Sequence, residues 1–229
     1  MAKMRLVLRL GIIAATSRST RVLYDRVCPF YEALFTDHLC HVQKMATALR
    51  EEFAVKDGIT VLDLACGTGI LSRRLAGQGF LVTGVDFSFQ SLRSLKQWMD
   101  SIRVIQADAS ALPFESGSFD VVTCMGAWRH FADAQQVLQE VSRVLRHDGI
   151  FLVGYFPPKL GGLLSVPKGR LGKAIVFLYG RITRLLNYTD KTDQDMEREA
   201  IRMIEMAFSK HYLIQSGKGE YLIFAQSPL

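Results

Sequence analysis

The stretch Val61–Gly69, which reads VLDLACGTG, decides the fold of this chain. An apolar segment leads into Asp63, and a turn with Gly67 and Gly69 follows before a helical segment begins. Glycines in such a turn let the backbone approach a ligand closely, and the following helix presents free N–H groups to a negatively charged group. The stretch therefore predicts a strand–turn–helix unit that binds a ligand at its turn.

The next apolar segment ends in an acid at the spacing of a nucleoside site. Phe80–Val85 is followed by Asp86, and an acid about 20 residues beyond such a turn meets ribose hydroxyls in nucleotide-binding βαβ units. After Gly69 the chain reads Ile-Leu-Ser, so the third glycine of a dinucleotide turn is missing, and the Gly-Lys-Ser/Thr of a P-loop is absent. A nucleoside-containing ligand of another kind is expected; a turn without ligand is the alternative.

Composition and charge narrow the classes of protein. The chain has 229 residues, 49% of them hydrophobic, as expected for one globular domain with a full-sized core. The formal net charge of +6 favours a partner that accepts cations: nucleic acid, anionic lipid or an acidic substrate. The four cysteines show no paired spacing, which indicates reduced thiols in a cytoplasmic protein. His38, Cys40 and His41 lack an identifiable fourth ligand, so no metal is expected.

Strand-like and helix-like segments alternate after an N-terminal helical region that extends to about Phe53. Seven strands are predicted, at Ile59–Leu64, Phe80–Val85, Arg103–Gln106, Asp120–Cys124, Ile150–Tyr155, Tyr212–Gln215 and Tyr221–Ala225. Helices are predicted at Leu71–Ala76, Gln90–Met99, Ala134–Leu145 and Asp193–Phe208. This alternation predicts an α/β fold with a parallel sheet covered on both faces, and Ser216–Gly219 predicts a terminal antiparallel hairpin.

Val61–Gly69 resembles the first motif of the class I S-adenosylmethionine (AdoMet) methyltransferases, and Leu112–Phe114 with Phe119–Val122 resembles their middle motif. The resemblance covers roughly 62–155. It implies a Rossmann-like, doubly wound sheet of seven strands, mostly parallel with a C-terminal antiparallel hairpin, and AdoMet as cofactor. It also implies the cofactor-binding residues, which are Asp63, Ala65, Gly67, Gly69, Asp86, Phe87, Asp108, Ala109 and Met125. Asp108 alternatively belongs to a surface turn.

A narrower resemblance links Gly126–Asp133, which reads GAWRHFAD, to the ubiquinone/menaquinone C-methyltransferases. Arg129 matches the arginine of that family, His130 replaces its asparagine, and Tyr24 begins a matching Tyr-Asp pair. The resemblance implies a small, lipophilic, quinol- or phenol-like acceptor facing these three residues. His130 follows the fourth strand, where α/β sheets bind ligands. An imidazole, whose ordinary pKa is about 6.5, can accept a proton at neutral pH. A histidine bonded to backbone and a surface ion pair of Arg129 remain the alternatives.

Charge is unevenly distributed along the chain. Phe156–Thr189 contains no acid, and Arg170–Leu186 places cations and aliphatic side chains on opposite helix faces. Such a helix favours an anionic membrane surface or a lid over an apolar substrate, and an ordinary docked helix is the alternative. Residues 1–24 also contain no acid, and we expect them to form a basic helix that stays attached.

These features give one domain over 1–229: a helical cap (1–55), an AdoMet-binding core (56–156), a basic insertion or lid (157–192), and the last helix with its hairpin (193–229). We expect a cytoplasmic protein that associates peripherally with a membrane. Methylation of nucleic acid is disfavoured, because Thr123–Gly126 stands where those enzymes carry Asn/Asp-Pro-Pro-Tyr/Phe or Pro-Cys. A module that binds AdoMet without catalysis is the other alternative. No feature indicates an oligomeric state.

Overall fold

The computed structural model describes residues 19–30, 38–52, 58–155, 193–217 and 220–228, together with the isolated positions Arg9 and Ile13. The predicted basic insertion and most of the predicted N-terminal basic helix lie outside the described residues. Among the helices that are described, none combines the length and apolarity needed to cross a bilayer. The division of the chain into cap, core, insertion and hairpin stays a prediction.

Seven strands form one mixed sheet in the order β3-β2-β1-β4-β5-β7-β6. The first five strands pair in parallel, and β7 pairs antiparallel with both β5 and β6. The predicted α/β architecture with a C-terminal antiparallel hairpin is therefore confirmed. The strands are β1 (Thr60–Leu64), β2 (Leu81–Asp86), β3 (Arg103–Gln106), β4 (Phe119–Met125), β5 (Leu145–Tyr155), β6 (Phe208–Gly217) and β7 (Glu220–Pro228).

Helices cover both faces of the sheet. The described helices are α1 (Thr20–Val27), α2 (His38–Glu52), α3 (Ile70–Ala76), α4 (Phe89–Trp98), α5 (Ala134–Val144) and α6 (Asp193–Ala207). One core joins α5 and α6 to the sheet, and a second core joins α2, α3 and α4 to the opposite face. Local sequence fixes the helix starts: the side chains of Ser88 and Asp133 cap α4 and α5 by accepting backbone N–H groups of Ser91 and Gln136.

The order of the strands determines where a ligand can bind. The strands β1 and β4 are neighbours, although β2 and β3 lie between them in sequence, so the chain changes direction across the sheet beside β1. The carboxyl ends of parallel strands at such a reversal border a crevice that binds ligands in open α/β sheets. The glycine turn after β1 and the ends of β2, β3 and β4 thereby meet at one edge.

Candidate functional site

A cavity of about 480 Å³ opens at the carboxyl ends of β1, β2, β3 and β4. Its volume lies within the usual range for small-molecule and cofactor sites. The cavity brings together most of the site residues predicted from the sequence. Those in its wall are Tyr24, Ala65, Gly67, Asp86, Phe87, Asp108, Ala109, Met125 and His130.

Asp86 ties the glycine turn to the end of β2. Its Oδ2 accepts a 2.8 Å hydrogen bond from the backbone N–H of Gly67, and its Oδ1 accepts one of 2.8 Å from the N–H of Ser88. The carboxylate is buried, and burial raises its pKa although these two N–H groups favour the charged form. A carboxylate has about four acceptor sites, so Asp86 can accept further hydrogen bonds from ligand hydroxyls.

Asp63 lies behind the turn rather than in the cavity wall. Its carboxylate accepts hydrogen bonds from the hydroxyls of Ser72 at 2.5 Å and Thr123 at 2.9 Å. The side chain is only 1% exposed, and burial raises its pKa to about 6 despite these two donors. Asp63 therefore joins β1, β4 and α3, and its structural contribution is to hold the turn in place.

Gly69 also lies outside the cavity wall, and it affects the site through the packing of two helices. Its φ is +77°, and a Cβ at this position would lie 2.2 Å from Cδ1 of Leu95 on α4. Only glycine fits there, because any side chain would overlap Leu95. Gly69 therefore lets the start of α3 pack against α4, whereas Gly67 presents its N–H toward Asp86.

Two further features of the turn, the backbone angle of Ala65 and the position of Thr68, were not predicted from the sequence, although Ala65 itself was predicted to bind the cofactor. Ala65 lines the cavity with φ +54°, an uncommon value for a residue with a Cβ and a mark of functional turns. Thr68 lines the cavity and is 3% exposed, and its hydroxyl has no hydrogen-bond partner among the described residues. A buried hydroxyl without a partner costs about 1–3 kcal/mol, so a ligand group that bonds to it would be favoured. The polar residue between the two glycines was the sequence signal.

The loop after β3 contributes Asp108 and Ala109 to the wall. Asp108 is exposed, and its Oδ1 accepts hydrogen bonds from the N–H and hydroxyl of Ser110, at 2.9 and 2.7 Å. The predicted surface turn and the predicted ligand position therefore coincide, because the Asx-type turn places the carboxylate at the cavity.

Side chains of α5 hold this loop, and sequence reasoning did not find them. Glu140 accepts the backbone N–H of Leu112 at 2.7 Å, and Arg143 donates to the carbonyls of Phe114 at 2.7 Å and Leu112 at 3.0 Å. Arg143 also pairs with Glu140 at 2.7 Å. We call Glu140 and Arg143 the loop clamp. Their spacing of three residues on one helix face was the available signal.

The other end of the cavity carries the residues expected to face the acceptor. The ring of Tyr24 lies edge-on to Phe87, with centroids 5.9 Å apart, and edge-on to His130, at 5.7 Å. His130 ends a 3-10 turn (Trp128–His130) that directly follows β4 and Gly126. Arg129 belongs to the same turn, but its side chain lies outside the described part of the chain. Tyr24 thus lies between Phe87, directly after β2, and His130, after β4.

The charged side chains in the cavity wall indicate which ligand can bind there. Its described residues include the carboxylates Asp86, Asp108 and Asp133 and no lysine or arginine. AdoMet carries a sulfonium and an ammonium cation with one carboxylate, together with ribose hydroxyls, so it complements this wall; a dinucleotide pyrophosphate does not. Among the described residues no cluster of His, Cys, Asp and Glu is arranged to hold a metal ion.

Comparison with known proteins agrees with this geometry. Residues 62–153 match the family model described as "Methyltransferase domain". The chain is 36% identical over 132 residues to a demethylmenaquinone methyltransferase of Thermus thermophilus, a match covering 55% of this chain and 57% of the relative. It is also 36% identical over 140 residues to a 2-phytyl-1,4-naphtoquinone methyltransferase of a Nostoc species, covering 55% and 59%. The matched stretch thus spans less than two thirds of these relatives.

Solved structures share the fold. A protein from Pyrococcus horikoshii superposes with a TM-score of 0.65 at 24% identity, covering 89% of this chain and 98% of that one. A phosphoethanolamine N-methyltransferase of Haemonchus contortus, solved with phosphomonomethylethanolamine and S-adenosylhomocysteine, superposes with a TM-score of 0.64 at 17% identity, covering 93% and 61%. At these identities the likeness extends to the fold alone.

Proposed function

We propose, from the premise that residues 62–153 form an AdoMet-dependent methyltransferase domain, that this protein methylates a small lipophilic acceptor. The acceptor carries a quinol- or phenol-like hydroxyl and is met at or near a membrane surface. The observation that carries the proposal is one continuous cavity that reaches from Asp86 to His130. The names of the relatives, which refer to menaquinone and naphthoquinone methylation, support this acceptor class.

The nucleoside end of the cavity would hold the cofactor through groups already in place. Asp86 would accept the ribose hydroxyls, Asp108 an adenine amino group, and the buried hydroxyl of Thr68 a polar group of the methionine moiety. When bound, AdoMet would supply a methyl group already activated by its sulfonium. The protein therefore needs chiefly to align the acceptor and exclude water.

The opposite end would prepare the acceptor. A phenolic or quinol hydroxyl becomes a strong nucleophile when it loses its proton, and His130 would accept that proton. Tyr24 would present an apolar ring edge to a flat aromatic acceptor, and Arg129 would polarise the acceptor oxygen or a water molecule. The same proton removal serves methylation at oxygen or at a ring carbon.

The acceptor class is tested with radiolabelled AdoMet and a prenylated 1,4-naphthohydroquinone that lacks the ring methyl group. We expect methylation of the hydroquinone and none of the oxidised quinone, because only the reduced form has a proton to lose. His130→Ala should lower kcat by about 10²–10⁴ and leave the AdoMet Kd unchanged.

His147→Ala is the matched control, because His147 is an exposed histidine near the start of β5 outside the cavity wall. A kcat for His130→Ala close to wild type would rule out His130 as the base. AdoMet binding without turnover on any hydroquinone or phenol would instead favour a module that binds AdoMet without catalysis.

A further inference from the structure

Helix α1 forms part of the cavity wall although it precedes the sheet by more than thirty residues. Tyr24 and Cys28 both line the cavity. Leu23 and Cys28 are 3% and 8% exposed, so the helix and the turn after it are packed against the domain. The position of α1 therefore determines how far the cavity is closed.

One carboxylate anchors α1 to the start of α4. Oδ1 of Asp25 accepts a 2.6 Å hydrogen bond from the hydroxyl of Ser88 and one of 3.3 Å from the backbone N–H of Gln90. Both donors belong to the N-terminus of α4, where unpaired N–H groups and the helix dipole favour a negative charge. Asp25 thus gives α1 a directional attachment that apolar packing does not supply.

The same serine connects Asp25 to the cofactor end of the cavity. The N–H of Ser88 donates to Oδ1 of Asp86, and Oδ2 of Asp86 accepts the N–H of Gly67. Ser88 therefore bonds both to Asp25, which attaches α1, and to Asp86, the carboxylate expected to bind ribose. The neighbour of Asp25, Tyr24, contacts Phe87 and His130 with its ring edge.

We propose that Asp25 is a positioning residue that latches α1 onto α4, sets Tyr24 between Phe87 and His130, and so closes the cavity over bound cofactor. The inference rests on the proposed function for the identity of that cofactor. The latch itself is a property of the protein without ligand. Loss of the latch should open the wall formed by α1 and leave the sheet intact.

Cys28 offers a direct reporter of this opening. Burial raises the pKa of its thiol, and the thiolate is the form that reacts with alkylating reagents. The negative charge of Asp25 also raises this pKa. Labelling by iodoacetamide, followed for each cysteine by peptide mass spectrometry, therefore measures how often α1 leaves the cavity when variants that lack the same charge, such as Asp25→Ala and Asp25→Asn, are compared. Cys124, buried in β4 with a pKa raised to about 12 by burial, reports opening of the core instead.

Asp25→Ala should speed labelling of Cys28 by about tenfold or more in the ligand-free protein, because the latch carries charge-assisted hydrogen bonds. Labelling of Cys124 should stay as slow as in the wild type. Asp25→Asn keeps an acceptor oxygen and should restore part of the protection. Asp100→Ala is the matched control, since it removes an exposed aspartate just after the other end of α4.

A double-mutant cycle with Ser88→Ala identifies the contact. The effects of Asp25→Ala and Ser88→Ala on Cys28 labelling should be less than additive, because each removes the same hydrogen bond. A wild-type rate of Cys28 labelling in Asp25→Ala, equal rates in Asp25→Ala and Asp25→Asn, or equal acceleration at Cys28 and Cys124 would overturn the latch. Failure of AdoMet to slow Cys28 labelling in the wild type would overturn closure over the cofactor, whereas failure of the proposed function would show as AdoMet binding without methylation of any hydroquinone or phenol.

Discussion

Asp63 and Asp86 lie on neighbouring strands, and both carboxylates are buried, yet the structure gives them different surroundings. Asp63 is surrounded by hydroxyls of the protein, whereas Asp86 faces the cavity with backbone N–H groups on one side. A strand that leads into an acid is visible in the sequence in both cases. Which acid faces the ligand depends on its position along the strand, because Asp63 pairs with Gly84, two residues before Asp86 on the same face of the sheet. There Ser72 and Thr123 satisfy Asp63.

Asp86→Ala is expected to weaken AdoMet binding, measured by calorimetry. Losing charge-assisted hydrogen bonds to ligand hydroxyls should cost roughly 1.5–3 kcal/mol, or about a 10- to 150-fold rise in Kd. Asp133→Ala is the control because it removes another carboxylate from the same wall. An equal loss in both variants would indicate that only the net charge of the wall matters, and an unchanged Kd for Asp86→Ala would refute its assignment to ribose.

Asp63 should make the free energy of unfolding depend on pH. Its pKa is about 6 in the folded protein against 3.8 for an ordinary aspartate, so the folded state binds the proton more tightly between these values. The contribution of Asp63 to stability must then be greatest below about pH 4 and fall as pH rises through about 6. The free energy of unfolding of the wild type minus that of Asp63→Asn, measured with denaturant, should decrease by on the order of 2–3 kcal/mol as pH rises across this window.

Asp120→Asn supplies a control of opposite sign. Partial burial opposes ionisation of Asp120, but hydrogen bonds from Thr60 and Arg146 outweigh it and lower the pKa. The stabilisation due to Asp120 is therefore present above the pKa that an aspartate has in the unfolded chain, and it is lost as pH falls through the lowered pKa of the folded state. If the difference in free energy of unfolding between the wild type and Asp63→Asn did not change with pH, the buried carboxylate of Asp63 would have an ordinary pKa.

At the scale of elements, the predicted strands and helices were confirmed in number and order within the described residues. Several of them begin or end at other residues than predicted. β5 begins at Leu145 rather than the predicted Ile150, because Leu145 pairs with Phe119 across an irregularity in the β4–β5 register. That pairing depends on a distant strand, so apolar periodicity could not reveal it. The predicted helix over 134–145 correspondingly ends one residue earlier, at Val144.

The same limitation explains which parts of the site were missed. Gly67 and Asp86 follow a local pattern and were predicted from it. The loop clamp consists of side chains on α5 that bind backbone groups about thirty residues earlier, and the latch at Asp25 spans more than sixty. Such contacts follow from how α1 and α5 pack on the sheet, which no local pattern encodes.

The loop clamp should control the cofactor loop. Arg143→Ala removes two hydrogen bonds to loop carbonyls and the partner of Glu140, so we expect hydrogen exchange in 107–114 to accelerate about tenfold or more and AdoMet affinity to fall with it. Arg146→Ala is the control, because Arg146 pairs with Asp120 rather than the loop. Equal exchange in the loop of both variants would mean that the carbonyl contacts of Arg143 contribute nothing.

For the whole molecule, the distribution of charge separates two parts of the sequence. Residues 156–192 contain seven lysines and arginines and one aspartate, so they account for the entire formal net charge of +6. The rest of the chain is neutral in total, and its described cavity is lined by carboxylates. An anionic surface is the partner that this excess of cations favours.

The protein should consequently co-sediment with vesicles of phosphatidylcholine and phosphatidylglycerol. Each basic residue near an anionic surface contributes about 1 kcal/mol, and salt screens this attraction. Burial of the aliphatic face predicted for Arg170–Leu186 adds a contribution that salt does not remove, so binding should weaken only in part at high salt.

Arg181→Glu with Arg184→Glu should abolish the salt-sensitive part, because the two changes reverse two of the segment's cations. Arg74→Glu with Arg103→Glu changes the net charge equally at exposed positions of the described domain and should leave binding nearly intact. Equal losses in the two double variants would show that net charge alone attracts the vesicles. If the wild type did not bind anionic vesicles, the proposed membrane contact would be wrong. Residues 156–192 would then have to bind another partner or close over the acceptor. Methylation of a lipophilic acceptor in detergent could persist in that case.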